Sequence, residues 1–441
     1  MTARHARRTV VSLAAACLAS TLATAQPSPL DTELDFHADA PALRSYVLEA
    51  VARNPRVLEA RARFRAAQQR APQARALPNP VLSFTQALRS VETRVGPQMN
   101  TVMLTQAFPW FGTLDLRGRV ALQQAAAQFH LYQATRRDVV AEVKQAFYNL
   151  AYVDAALGLA DEEASLLEHY EALAEIRYAT GQGLQQGVIK LQAEITRVIN
   201  RRYLLDQQRL TLAARLNTMR DRPAEDPIPI VPQGPLPTLA VEREDLYRVG
   251  DQHREELRAA AALITGSERA IALAKKRYWP SFTAGAGVMN VGGRNDPAGR
   301  ALPPPDNGKN AVTVSLGISL PIWRDTYRAG VEQATRELQA HRQHRAATRN
   351  AMELSVQDGV VRLDTLTHQM ELFDTVLIPQ TEEALLATEA AYETGQLGVL
   401  DLLDSERMLL EIRLIRARYA SDFLVALTDL ERAVGTSVPL H

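Results

Sequence analysis

One short phrase occurs twice in this chain. Tyr178-Ala-Thr-Gly181-Gln182 returns 214 positions later as Tyr392-Glu-Thr-Gly395-Gln396. A repeat of so long a period reports architecture before chemistry. Each copy closes a very long stretch of helical composition. Residues 112–178 contain no proline, and at 1.5 Å per residue they would extend roughly 100 Å. From Val139 the apolar residues fall at Val143, Ala146, Leu150, Val153, Leu157, Ala160, Ala164 and Leu167. Alternating steps of four and three make a heptad, the seam of a left-handed coiled coil. The second copy, residues 326–392, repeats the seam at Leu366, Met370, Phe373 and Leu377, with Pro379 inside it predicting a kink. After each glycine a return helix is expected, over 184–220 and 399–434. Gly181 and Gly395 supply the left-handed conformation that ends the ascending helix. The result is two helical hairpins.

Ahead of each long helix the period changes from helical to two. In residues 311–320, Val312, Val314, Leu316, Ile318 and Leu320 alternate with Thr313, Ser315, Gly317 and Ser319. In residues 281–289, Phe282, Ala284, Ala286 and Val288 alternate with Ser281, Thr283, Gly285 and Gly287. Two looser copies occupy residues 81–88 and 101–108, with Leu82, Phe84, Val102, Leu104 and Phe108 on the apolar side. Four strands, each with an apolar face and a small polar face, are therefore expected. They suit either two hairpins on a soluble core or the wall of a transmembrane barrel. Four strands cannot close a lumen-bearing barrel, so a membrane reading requires several chains. The intervening segments 87–100 and 290–310 are polar and rich in Gly and Pro, as outward loops would be.

The chain divides accordingly: residues 1–25, a first repeat in 26–220, a connector 221–241, a second repeat in 242–435, and a tail 436–441. Six prolines between residues 222 and 237 keep the connector extended. At the N-terminus, Arg4, Arg7 and Arg8 precede a short apolar run and Ala23-Thr24-Ala25, the pattern of a signal peptide for export. Cys17, the single cysteine, is an alternative lipid-attachment site, although Ala14 stands where such sites usually carry Leu. No later stretch is long and apolar enough for a transmembrane helix. Fifty basic residues balance fifty acidic ones, which removes the electrostatic case for a nucleic-acid partner.

The ordered set resembles the TolC family of outer-membrane efflux proteins, from about residue 43 to residue 435. The resemblance is carried by Gln106-Ala-Phe-Pro-Trp-Phe-Gly112, its echo Ser319-Leu-Pro-Ile-Trp323, the two Tyr-x-x-Gly turns, and residues 395–406. It implies a mainly α fold with a membrane β-barrel portion. Each chain would give four strands to a trimeric 12-stranded barrel and its hairpins to an α-helical tunnel in the periplasm. It implies a homotrimer in the outer-membrane lipids, working with a periplasmic adaptor (membrane fusion protein) and an inner-membrane efflux transporter. Such a duct conducts metal ions, drugs or other small molecules passively, as no enzyme and with no cofactor. Gly181 and Gly395 would be the adaptor-docking tips. Asp401, Asp404 and Tyr392 would form the periplasmic gate, six carboxylates under threefold symmetry favouring cations. The residue reading alone leaves Asp401 and Asp404 as solvated carboxylates in a helix's first turns. The family's frequent Arg two residues past the turn is Leu397 here, which leaves the latch unassigned. The rival reading is a soluble periplasmic coiled-coil adaptor, which the two repeats and the apolar strand faces disfavour.

Other chemistry has no foothold. Nine histidines and one cysteine show no ligand spacing, so no metal site is expected; His341 and His344 read as solvated. No nucleophile motif or phosphate cradle appears.

Overall fold

Punctuation at Asn54-Pro55 sets the first boundary. Helix α1, Pro41–Arg53, stops there, and α2, Pro55–Arg75, begins with proline at its first position. Asn54 is buried: its side-chain oxygen accepts from the Arg56 N–H at 2.9 Å and its amide donates to the Met219 carbonyl at 2.9 Å. The computed structural model describes residues 41–234, 236–237 and 242–438. The expected export segment, Cys17 and the final three residues of the tail lie outside the described residues, as does part of the connector.

Strands β1 (Val81–Gln86), β2 (Glu92–Thr93) and β3 (Gly96–Phe108) follow. Then come the long α3 (Thr113–Ala179) and its return α4 (Gln185–Met219). The second copy runs α5 (Arg243–His253), α6 (Glu255–Lys276), β4 (Phe282–Val291), the short α7 (Pro297–Ala301), and β5 (Ala311–Ile318). It continues through α8 (Arg324–Leu372), a π-helical turn (Phe373–Leu377), α9 (Ile378–Glu393) and α10 (Val399–Val434).

Strand β3 begins at Gly96, five residues before the sequence pattern suggests. Its early residues are held by partners and not by periodicity. Gln98 pairs with Val291, and the Asn290 amide donates to the Asn100 side-chain oxygen at 2.6 Å. Pro379 sits at the start of α9, just after the π-helical turn. The missing proline N–H is absorbed by one wide turn, a known way of fitting a proline into a long helix.

The heptad seam is where the core forms. Val139, Val143, Leu150 and Leu167 are fully buried. Lower on the hairpins, Leu167, Leu191, Val198, Leu385, Leu402 and Leu409 share one cluster drawn from α3, α4, α9 and α10. A second cluster joins Met352, Val356 and Leu363 of α8 to Phe423, Leu427 and Leu430 of α10, with Leu246 and Leu257 beside them. Each fully buried Leu contributes about 1.5–3 kcal/mol. The two repeats are thus sewn into one body along most of their length.

Candidate functional site

The sheet and the hairpin tips lie at opposite ends of α3. The main sheet is antiparallel with strand order β1-β3-β4-β5. The pairings Leu82↔Leu104, Leu104↔Ala286 and Ala286↔Val314 carry one face across all four strands. That face is apolar from Leu82 to Ile318, with Gln106 at one end and Gln86, Asn100 and Asn290 at the other, and no described residue covers it: Val312, Val314 and Leu316 are 76%, 78% and 84% exposed. The opposite face carries Ser83, Thr101, Thr105, Thr283, Thr313 and Ser315, small and polar, with Met103 and Met289 among them. Within the chain β1 and β5 each have a partner on one side only, so each leaves a row of backbone donors and acceptors open. No described helix is long and apolar enough to cross a membrane.

At the other end, the repeated phrase closes two identical turns. Gly181 and Gly395 have φ of +73° and +79°. In the first turn Gln182 N–H donates to Arg177 O at 2.8 Å and Gly181 N–H to Tyr178 O at 3.0 Å. In the second, Gln396 N–H donates to Ala391 O at 2.9 Å and Gly395 N–H to Tyr392 O at 3.0 Å. Both are Schellman caps, which require a left-handed residue at the glycine position.

The two tips are adjacent. A Cβ on Gly187, at the start of α4, would lie 3.5 Å from Val399, at the start of α10. Tyr392 is 5% exposed and packs in the lower core. Arg177, just before the first tip, donates to the Tyr392 carbonyl and holds its guanidinium 4.8 Å from the centre of the Tyr392 ring. Burial raises the Tyr392 phenol, against the opposing pull of Arg177. Sequence reasoning missed Arg177. The signal was there: in the register of the repeat it faces Ala391, so it is a residue that only one copy carries.

Asp401 and Asp404 are not brought to Tyr392. Leu402 and Leu403 between them are buried, while both carboxylates are exposed on the other face of α10. Asp401 also serves its own helix, because its carboxylate accepts from the Gly398 N–H at 3.0 Å and so caps α10. The Asp404 side chain acts on the neighbouring Arg407 electrostatically.

Above the tips lies a buried ionic network that ties all four helices. Glu163 of α3 meets Arg201 of α4 at 2.7 Å. Glu194 of α4 is shared by Arg197 and by Arg407 of α10. Tyr170 of α3 donates to Glu389 of α9. Burial alone would raise the Glu194 carboxyl, but hydrogen bonds from Arg407 and Arg197 prevail and hold it low. Glu406 is raised by burial against the pull of Arg413, with Glu389 adding to the rise. Among the described residues no three His, Cys, Asp or Glu side chains are placed to hold a metal ion. His341 instead shares a 2.8 Å hydrogen bond with Ser267.

A duplicated chain with a bare apolar sheet at one end and paired helical tips at the other is a subunit of a membrane duct. The chain matches the family described as outer membrane efflux protein over residues 47–219 and 246–436. It belongs to that family, whose members form exit channels in the outer membrane. It is similar to the cobalt-zinc-cadmium resistance protein CzcC of Cupriavidus metallidurans, with 24% identity over 381 residues covering 82% of each chain. Among solved structures it resembles a membrane protein from Pseudomonas aeruginosa, at TM-score 0.76 and 20% identity, covering 91% of this chain and 96% of the other. It also resembles the outer membrane protein VceC of Vibrio cholerae, at TM-score 0.73 and 19% identity, covering 90% and 96%.

Proposed function

We propose that three copies of this chain close a 12-stranded barrel in the outer membrane and a helical tunnel beneath it. The tips at Gly181 and Gly395 dock a periplasmic adaptor, and the cargo is a metal cation delivered by an inner-membrane transporter. The observation that carries the assembly is the sheet: four strands with an apolar face exposed to the outside and two open edges. Four strands are too few to enclose a lumen, and open edges pair with like edges. The cation reading is supported by Asp401 and Asp404, exposed on one face of α10, and by the metal-resistance relative. Tyr392 and Arg177 hold the gate shut. The channel does no chemistry of its own and uses no cofactor.

Purified full-length protein should run as a heat-modifiable trimer on an unboiled gel and conduct K⁺ in preference to Cl⁻ across a planar bilayer. A monomer that forms no channel would overturn the assembly, and a channel with anion preference would overturn the cation reading.

A further inference from the structure

Where the sheet gives way to helix, the chain gathers its aromatic groups and then a dense set of cations. All three tryptophans, Trp110, Trp279 and Trp323, lie here. Trp110 stacks on Trp279 with centroids 4.8 Å apart and on Phe282 at 5.8 Å, while Trp323 stands 72% exposed. Large amphipathic rings at strand ends mark the level at which an apolar face meets water.

Immediately on the helical side follow Arg75, Arg117, Lys275, Lys276, Arg277 and Arg324. None of these six has a carboxylate partner among the described residues. The only acids at this level, Asp115 and Asp325, are already paired with Arg119 at 2.7 Å and Arg328 at 3.0 Å. The six come from four elements that the fold brings together, the ends of α2 and α6 and the starts of α3 and α8. A Cβ on Gly112, ahead of α3, would lie 3.7 Å from the Lys276 ammonium at the end of α6, and one on Gly330, in α8, would lie 3.6 Å from the Arg277 guanidinium. A Cβ on Gly118 of α3 would strike the Arg75 side chain at the end of α2. The chain as a whole is neutral, 50 basic against 50 acidic residues. A surplus this local is therefore not a by-product of composition.

We propose that this collar binds the phosphates of anionic phospholipids in the periplasmic leaflet, fixing the depth at which the sheet sits. Exposed cations just outside an aromatic girdle face the headgroup layer, where each attracts negative lipid. Arginine and lysine both meet phosphate well, the first as a fork and the second as a point charge. The inference rests on the outer-membrane reading, and its test separates the two.

Because every tryptophan lies in the collar, fluorescence reports on it without a label. Full-length protein is reconstituted into phosphatidylcholine vesicles containing about 30% phosphatidylglycerol, with bromine on the acyl chains of one lipid or the other. Expected is quenching at least about threefold stronger, per brominated molecule, for phosphatidylglycerol, with the preference shrinking in about 0.5 M salt. The triple variant Lys275→Gln, Lys276→Gln, Arg277→Gln should lose most of that preference while still running as a trimer on an unboiled gel. Equal quenching by both brominated lipids in the unaltered protein would overturn the collar and leave the membrane reading standing. No quenching by either would overturn both. The unaltered protein decides the matter even if the triple variant does not assemble.

Discussion

Glu163→Gln should make the chain more stable at neutral pH and should flatten its response to acid. Glu163 is 2% exposed; one carboxylate oxygen meets Arg201 at 2.7 Å and the other has no partner. Burial, against the pull of Arg201 and aided by Glu406 and Glu194, pushes its pKa from 4.5 up to about 7. At 1.36 kcal/mol per pH unit that gap corresponds to about 3 kcal/mol of destabilisation once the group is ionised. Between those two values the folded chain binds more protons than the unfolded one. Stability therefore falls as pH rises through the window and is level above it. Glutamine keeps the shape and abolishes the ionisation. Its cost is the ion pair, and Arg201, whose side chain is 37% exposed, can turn to water for about 1 kcal/mol.

The net gain near pH 8 is about 2 kcal/mol per chain, which for a chain of this size raises the melting temperature by about 2 °C. Near pH 5 the two proteins should agree within about 1 kcal/mol. Thermal unfolding followed by circular dichroism in detergent, across that range, gives both curves. Every other titrating group is common to the pair, so the difference isolates Glu163. Curves that stay parallel from acid to alkaline pH would refute the reasoning.

Other perturbations address the tips and the sheet. Asp404→Asn should reduce the K⁺ over Cl⁻ preference, read as a shifted reversal potential under a salt gradient; an unmoved potential removes Asp404 from the gate. Arg177→Gln removes a hydrogen bond and a cation–π contact, each worth about 1 kcal/mol, and should raise open-channel conductance in planar bilayers several-fold. Gly395→Ala forces a side chain into φ +79° and against the Arg177 guanidinium at 2.9 Å. It should cost about 1–2 kcal/mol, seen as faster amide exchange over residues 394–397. Val314→Lys should cost about 2–4 kcal/mol of membrane insertion. On a water-facing strand the same change at a 78% exposed position would be nearly neutral, so vesicle insertion equal to that of the unaltered protein would place this face in water.

Much of the architecture was legible because each part obeys a short-range rule. The seam at Val139, Val143, Leu150 and Leu167 is read from heptad spacing, and all four side chains are buried. The alternation from Val312 to Ile318 gives a strand with one apolar face, and that face is bare. Edges of elements were less legible. Gly96 to Asn100 carry no alternation, and they become strand because β2 pairs with Gly96 and Pro97 while β4 pairs with Gln98 and Asn100. At Pro379 the sequence announces an interruption of the helix but not its form, a single π-helical turn over Phe373–Leu377.

The proposed latch was the least legible part, for a specific reason. Sequence comparison looks for a function at the same position in the same copy, and there, two residues past the second turn, stands Leu397. The positive charge instead arrives from the other copy, at Arg177, and acts on the backbone carbonyl and ring face of Tyr392. Duplication makes such an exchange possible. Once two hairpins lie side by side, either member of the pair can supply the contact, and the register of the repeat then holds different residues at equivalent sites. Arg177 faces Ala391, Gly187 faces Asp401, and Lys190 faces Asp404. At two of these three points the first copy carries a cation where the second carries a small or acidic residue. An asymmetry of that kind is what a gate needs, because two identical tips would repel or attract their neighbours equally and could not hold one defined closed pairing. The expectation is concrete: exchanging Arg177 and Ala391 together should restore part of the closure that Arg177→Gln loses if only charge at the tip matters. No restoration is expected here, since the Tyr392 carbonyl lies one residue beyond Ala391 on the same helix and an arginine there would have to fold back against its own turn.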